Sequence, residues 1–314
     1  MKIKRVLSLF ILVLSLTLLT GCHFNELLIS KTKTYNTGEN PTTTVSPTQS
    51  ITNGDDTTSG DEITSIWTSP LKDELSLSNI EKYYKTFDYT CTDTKTGTDL
   101  INYIKSFISV MPGISSQSYD SIRYDYYESD ASLTDSSKVV LFYCQEEVPA
   151  KWNGSTWNRE HVYCQSTGGF GTKVDVGYDL HHVRPSDAVV NSTRNNNPYG
   201  NVTNHNSSTE VYARYTPEKK LSGWLEGGVF EPLDSVKGDV ARICFYVSVC
   251  YYMRYSNIQL ANIVSDKTFK TILEWNKLDP VDALEAQRNN VAYELQGNRN
   301  IFIDYPELAD VIWG

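Results

Sequence analysis

Trp157-Asn158-Arg159-Glu160-His161-Val162, then Asp179-Leu180-His181-His182-Val183-Arg184-Pro185, then Asn191-Ser192-Thr193-Arg194-Asn195 form the stretch on which this chain turns. His161, His181, His182 and His205, four of the five histidines, lie in it or just beyond it. A carboxylate, an imidazole and carboxamides gathered with arginines suit a hard metal ion and a phosphate. Hydrolysis of a phosphodiester needs a water deprotonated near neutral pH, and imidazole titrates in that range. Negative charge collects on the phosphoryl group and on the departing oxygen, where a divalent cation can meet both. Mg²⁺ prefers oxygen ligands and keeps several waters, so one or two protein oxygens suffice. Glu160 and Asn191 can supply them. Ser186 is placed as the N-cap of a short helix over 187–195. Asn191, Arg194 and Asn195 then share one face of it, at i, i+3 and i+4.

Outward from this stretch, the 314 residues have room for one large domain or two small ones. The formal net charge of -10 has the wrong sign for a nucleic-acid binder. A bound cation and a few arginines can reverse the field locally, so the veto is weak.

Residues 1–21 read as a signal peptide. Lys2, Lys4 and Arg5 precede an apolar run, Val6 to Leu19, that is shorter than a membrane-spanning helix. Leu19-Thr20-Gly21-Cys22 resembles the lipobox of bacterial lipoproteins, in which Cys22 would carry diacylglycerol. Two acyl chains make a stable anchor. The alternative is an ordinary secretory signal with a chance cysteine. The expected location is the extracellular face of the cell membrane, lipid-anchored, or secreted. Residues 22–75, rich in Thr, Ser, Asn, Gly and Asp, bury too little apolar area to offset their ordering entropy and read as a tether. Cys91, Cys144, Cys164, Cys244 and Cys250 remain, and an odd number excludes complete pairing. They read as mostly free, buried thiols.

Residues 76–314 carry globular patterning. Leu100, Ile101, Ile104, Phe107, Ile108 and Met111 repeat at helical spacing up to Pro112-Gly113. Lys138–Cys144 reads as a strand and 145–160 as a loop. Gly238 to Tyr255 is apolar nearly all round, hence a buried helix. Further helices are expected over Val264–Trp275 and Asp282–Leu295, with Gly297 at a left-handed terminus. Helices dominate over short strands, so the class is α+β.

The central strings, with Lys237-Gly238-Asp239-Val240-Ala241-Arg242, Trp275, Asp279-Pro280-Val281, Glu285, Arg288-Asn289 and Gln296-Gly297-Asn298-Arg299-Asn300, resemble the endonuclease I family of bacterial extracellular and periplasmic nucleases. The likeness runs collinearly over roughly residues 97–314. It implies a mainly helical nuclease domain with an embedded ββα-metal (His-Me) finger. His161 matches the general base, and Glu160 and Asn191 match the metal ligands. The implied activity is Mg²⁺-dependent endonucleolytic cleavage of DNA, RNA or both, without strong sequence preference, leaving 5′-phosphates; Mn²⁺ or Ca²⁺ are alternative ions. Tyr163-Cys164 stands where many relatives have Trp-Pro, and Ile301 where many have Pro.

Other roles are expectations of the same kind. Arg184, Arg194 and Lys173 are candidates for the cation that meets the phosphorane. Adjacent strand residues face opposite ways, so at most one of His181 and His182 faces the site. His181 is favoured, with Asp179, as support. Arg159, Asn298 and Arg299 are candidates for bracing the site or touching substrate, while Arg242, Arg288 and Arg299 also suit a role in holding the fold. A zinc site from His161, Cys164 and His181 or His182 is the runner-up chemistry. A thiol hydrolase using Cys164 ranks lower still. The non-enzyme alternative is an anchored nucleic-acid-binding module.

Overall fold

Leu100, Ile101, Ile104 and Phe107 do lie along one helix, Gly97–Ser109 (α1), with Ile104 fully buried. The computed structural model describes residues 80, 83–88, 91–95, 97–109 and 117–314, within the unit Asp61–Gly314. The signal, Cys22 and tether readings fall outside these residues, as do Met111 and the Pro112-Gly113 stop. Ile122–Ser129 (α2) buries Ile122 and Tyr126.

Lys138–Leu141 (β1) pairs antiparallel with Glu146–Pro149 (β2), Lys138 opposite Pro149. The expected strand stops at Leu141 because the chain turns, Gln145 taking a left-handed φ of 54°. Phe142 N then donates to Pro185 O at 2.8 Å. The expected loop over 145–160 instead holds β2 and the next strand, Trp157–His161 (β3). Val148 is the one buried residue of Glu146–Pro149, so charge hides the strand pattern.

β3 pairs antiparallel with Val183–Asp187 (β4), Trp157 opposite Asp187 and His161 opposite Val183. Ala188–Arg194 (α3) follows at once. Its N-cap is Asp187, not Ser186: Asp187 Oδ1 accepts from Val189 N at 2.9 Å and Val190 N at 3.2 Å. Ser186 is still in β4. Asn195 lies past the helix end with φ 51°, so it does not extend the helical face. Asp187 Oδ2 also accepts from Arg214 N and Tyr215 N. One carboxylate thus ties α3 to the following meander.

That meander, Glu210–Ala213 (β5), Lys220–Glu226 (β6) and Val229–Pro232 (β7), was not foreseen. Gly227 and Gly228, with φ 58° and 78°, close the β6–β7 turn, a conformation glycine adopts without penalty. Asp234–Cys250 (α4) begins a turn earlier than expected and is buried from Val236 to Val249. Lys270–Leu278 (α5) replaces the helix expected from Val264, which instead bridges Tyr199 in extended form. Ala283–Gln296 (α6) matches expectation, with Asp282 as N-cap and Gly297 at φ 89°. The five described cysteines are all free. Among the described residues no helix is long and apolar enough to cross a membrane. The architecture is α+β, helices packed about α4 with short antiparallel sheets.

Candidate active site

The β3–β4 pair and α3 bring Glu160, His161 and Asn191 to the wall of one cleft of about 350 Å³. His161, 8% exposed, stacks on Tyr119 with centroids 5.6 Å apart and planes 17° from parallel. Its Nε2 stands 3.0 Å from Gly177 O. A carbonyl can only accept, so Nε2 carries the proton and Nδ1 is the basic nitrogen. Burial first, then the charges on His182, Arg159 and Arg194, push the imidazole down to about 3, against the Gly177 bond. It is neutral at every pH near 7.

Glu160 is buried. Its Oε1 accepts from Tyr143 Oη at 2.7 Å and Arg194 Nη1 at 3.3 Å, while Oε2 makes no hydrogen bond to the described residues. Burial raises its carboxyl to about 7, outweighing Arg194 and Tyr143, which both favour the carboxylate. Asn191 Nδ2 donates to Asn158 Oδ1 at 2.7 Å and Arg159 O at 3.2 Å. Its Oδ1 makes no hydrogen bond to the described residues. Glu160 Oε2 and Asn191 Oδ1 make an all-oxygen donor pair, which fits a hard divalent ion that keeps its own waters.

The zinc alternative is not assembled. Among the described residues no three His, Cys, Asp or Glu side chains gather to hold a metal. Cys164 Sγ donates to Asn195 O, and burial raises its thiol pKa, which also disfavours a thiolate nucleophile.

The arginines redistribute. Arg194 lines the underside of the site rather than the cleft. It is fully buried and donates to His161 O, Val162 O, Asn195 O and Glu160. Arg184 is buried too, 3.2 Å from Asp130 and 3.6 Å from Asp239, away from the cleft. Lys173 is exposed and is not in the cleft lining. Arg159 is the cation in that lining. Arg299 pairs with Asp304, Arg242 with Glu285 and Arg288 with Asp130, all in the fold's interior.

His182, not His181, stands beside His161, with ring centroids 5.4 Å apart. The pair sits in a turn before β4, so strand alternation did not apply. His182 Nδ1 lies 2.7 Å from Val176 O, and Nε2 lies 2.8 Å from Tyr163 O and 3.0 Å from Tyr163 N. Consecutive carbonyls, Val176 and Gly177, therefore fix both imidazoles. His181 Nε2 donates to Asn298 O, remote from the cleft lining. Asp179 accepts from Tyr246, Tyr251 and Gln296, and Asn298 joins the same buried network. These residues brace the turn rather than line the cleft.

Tyr119, Tyr143 and Gly177 shape the site and were not singled out from sequence for it, and His182 was weighed there but set behind His181. Only the His-His pair gave any signal; the tyrosines are joined to the site by tertiary packing alone.

The chain is 38% identical over 252 residues to an extracellular ribonuclease of Bacillus amyloliquefaciens, covering 75% of this chain and 79% of that one. It is 39% identical over 241 residues to the extracellular ribonuclease of Bacillus subtilis (strain 168), covering 72% and 77%. An extracellular deoxyribonuclease of Aeromonas hydrophila is 29% identical over 126 residues, covering 40% and 48%. The family model described as Endonuclease I matches residues 92–307, so this chain belongs to the endonuclease I family and is an endonuclease, a hydrolase of nucleic acids.

Proposed function

We propose that this protein is an exported, metal-dependent endonuclease in which His161 is the general base and Glu160 and Asn191 hold Mg²⁺. The observation that carries the reading is a pair of oxygens without a hydrogen bond to the described residues, Glu160 Oε2 and Asn191 Oδ1, in one cleft with an imidazole whose Nδ1 is basic. His161 takes the proton of the attacking water at Nδ1 while Gly177 O keeps the ring in its tautomer and orientation. Tyr119 covers the ring and limits water around it. Glu160 is held by Tyr143 and Arg194 so that Oε2 is presented in one direction. When bound, the divalent ion supplies charge to the phosphate and the departing oxygen.

RNA is the first substrate class to test, since the two relatives matched over most of the chain are named ribonucleases. The deoxyribonuclease likeness covers 40% of the chain, so DNA is the second. Export rests on the word extracellular in all three names, together with the leader-like residues 1–21. Lipid anchoring rests on Leu19-Thr20-Gly21-Cys22 alone. The test is incubation of the purified protein with RNA and with plasmid, each with Mg²⁺ or EDTA. Cleavage with 5′-phosphate ends in Mg²⁺ and none in EDTA is expected; full activity in excess EDTA contradicts the metal.

A further inference from the structure

Arg159 and His161 are two apart on β3, so their side chains leave the same face of the strand. Tyr119 covers both: the Arg159 guanidinium lies 3.6 Å from the Tyr119 ring centroid, with Trp152 at 5.1 Å on the same guanidinium. Nη1 donates to Tyr119 O and lies 3.7 Å from Asp120, an exposed carboxylate that screens weakly. The other edge is different. Nε is buried, and neither it nor Nη2 makes a hydrogen bond to the described residues. A guanidinium held flat with neither Nε nor Nη2 bonded to a described residue keeps a donor pair that matches two oxygens of a phosphate. Leaving a buried donor unpaired costs stability, which a bound oxyanion would recover. Arg194 Nε is likewise buried and unpaired, but both its Nη atoms bond protein oxygens, and Arg184 is held by Asp130 and Asp239; in Arg159 only Nη1 is used.

We propose that the unpaired Nε–Nη2 edge of Arg159 is a phosphodiester-binding fork beside His161. Its ligand is the non-bridging oxygens of the nucleic-acid backbone at the scissile position. The proposal rests on the nuclease reading of the cleft and adds the group that receives the substrate's charge.

The test uses the full chain with Arg159→Gln and Arg159→Lys, folding being checked by circular dichroism and thermal melting. The first readout is binding of a fluorescent single-stranded oligonucleotide in EDTA across a salt series. Loss of one phosphate contact should lower the slope of log K against log salt by about 0.7 in Arg159→Gln. Arg159→Lys, a point charge without the fork, should keep the slope. The second readout is turnover in Mg²⁺, expected to fall about 10²–10³-fold in Arg159→Gln and to recover only in part in Arg159→Lys. A purely structural role would lower the melting temperature and leave the slope unchanged. An unchanged slope, or turnover within about threefold of wild type in folded Arg159→Gln, overturns the proposal. If Arg159→Gln does not fold, Arg159→Lys decides by its turnover: a wild-type rate overturns the fork and a loss with binding retained supports it. His161→Ala is measured alongside. A neutral ring releases no counterion, so its slope should match wild type. Retained turnover in His161→Ala would sink the base assignment while leaving the Arg159 slope to decide the fork.

Discussion

Arg194 Nη1 stands 3.3 Å from Glu160 Oε1, with the two side chains 1% and 3% exposed. The same guanidinium holds the carbonyls of His161 and Val162. It lies beneath the site and props the strand that presents base and ligand. Removing one partner of a buried pair strands the other charge, at about 3–5 kcal/mol. Arg194→Ala should therefore lose stability by that order, seen as a lower urea midpoint at unchanged m. Wild-type stability with lost turnover would instead return Arg194 to direct chemistry.

The pH profile should report Glu160. From sequence, the rate would rise through the histidine pKa. The rise with pH stays, but the titrating group changes. With His161 at about 3, the imidazole is already a free base in mild acid. Glu160, at about 7, is the group that must lose a proton to become a ligand as pH rises. Metal and proton compete for it, so raising Mg²⁺ should move the acid limb to lower pH. Initial rates against pH at low and high Mg²⁺ check this. A limb that stays in place contradicts it.

Gly177 allows a close approach that no other residue can make. A Cβ there would meet Gly171 O at 2.1 Å. The turn Asp175–Gly177 would have to move, and with it the carbonyl that holds His161 Nε2. Gly177→Ala should lower kcat by about tenfold or more, in the manner of a slightly misplaced catalytic group. Steady-state kinetics with a melt on the same sample checks it; a fall in stability at wild-type kcat would show that the carbonyl does not set the ring.

At the other end of the chain, Cys22 is the test of anchoring. Intact mass of the mature N-terminus should show a diacylglyceryl group on Cys22, and Cys22→Ser should release the protein or leave its leader uncleaved. An unmodified N-terminus refutes the anchor.

The parts legible in sequence were those with a local cause. Asp282 and Gly297 mark the ends of α6 by capping chemistry, and Glu160, His161 and Asn191 stood out by residue type and spacing. What stayed hidden depends on distant partners. Nothing near Tyr143 in sequence says that its hydroxyl reaches Glu160, 17 residues on. The choice of His182 over His181 depended on a turn where alternation suggested a strand. The arginines could not be sorted because burial, not spacing, decides which one keeps a free edge. β2 was missed for a related reason, its charged residues masking a two-residue period.

Single-turnover cleavage of one RNA oligonucleotide by wild type, His161→Ala and His181→Ala at saturating Mg²⁺ bears most directly on the site. His161→Ala should be slower by about 10²–10⁴-fold with oligonucleotide binding retained. His181→Ala, bonded to Asn298 O away from the cleft lining, should be milder. A His161→Ala rate near wild type beside an inactive His181→Ala would contradict the assignment of His161 as the base.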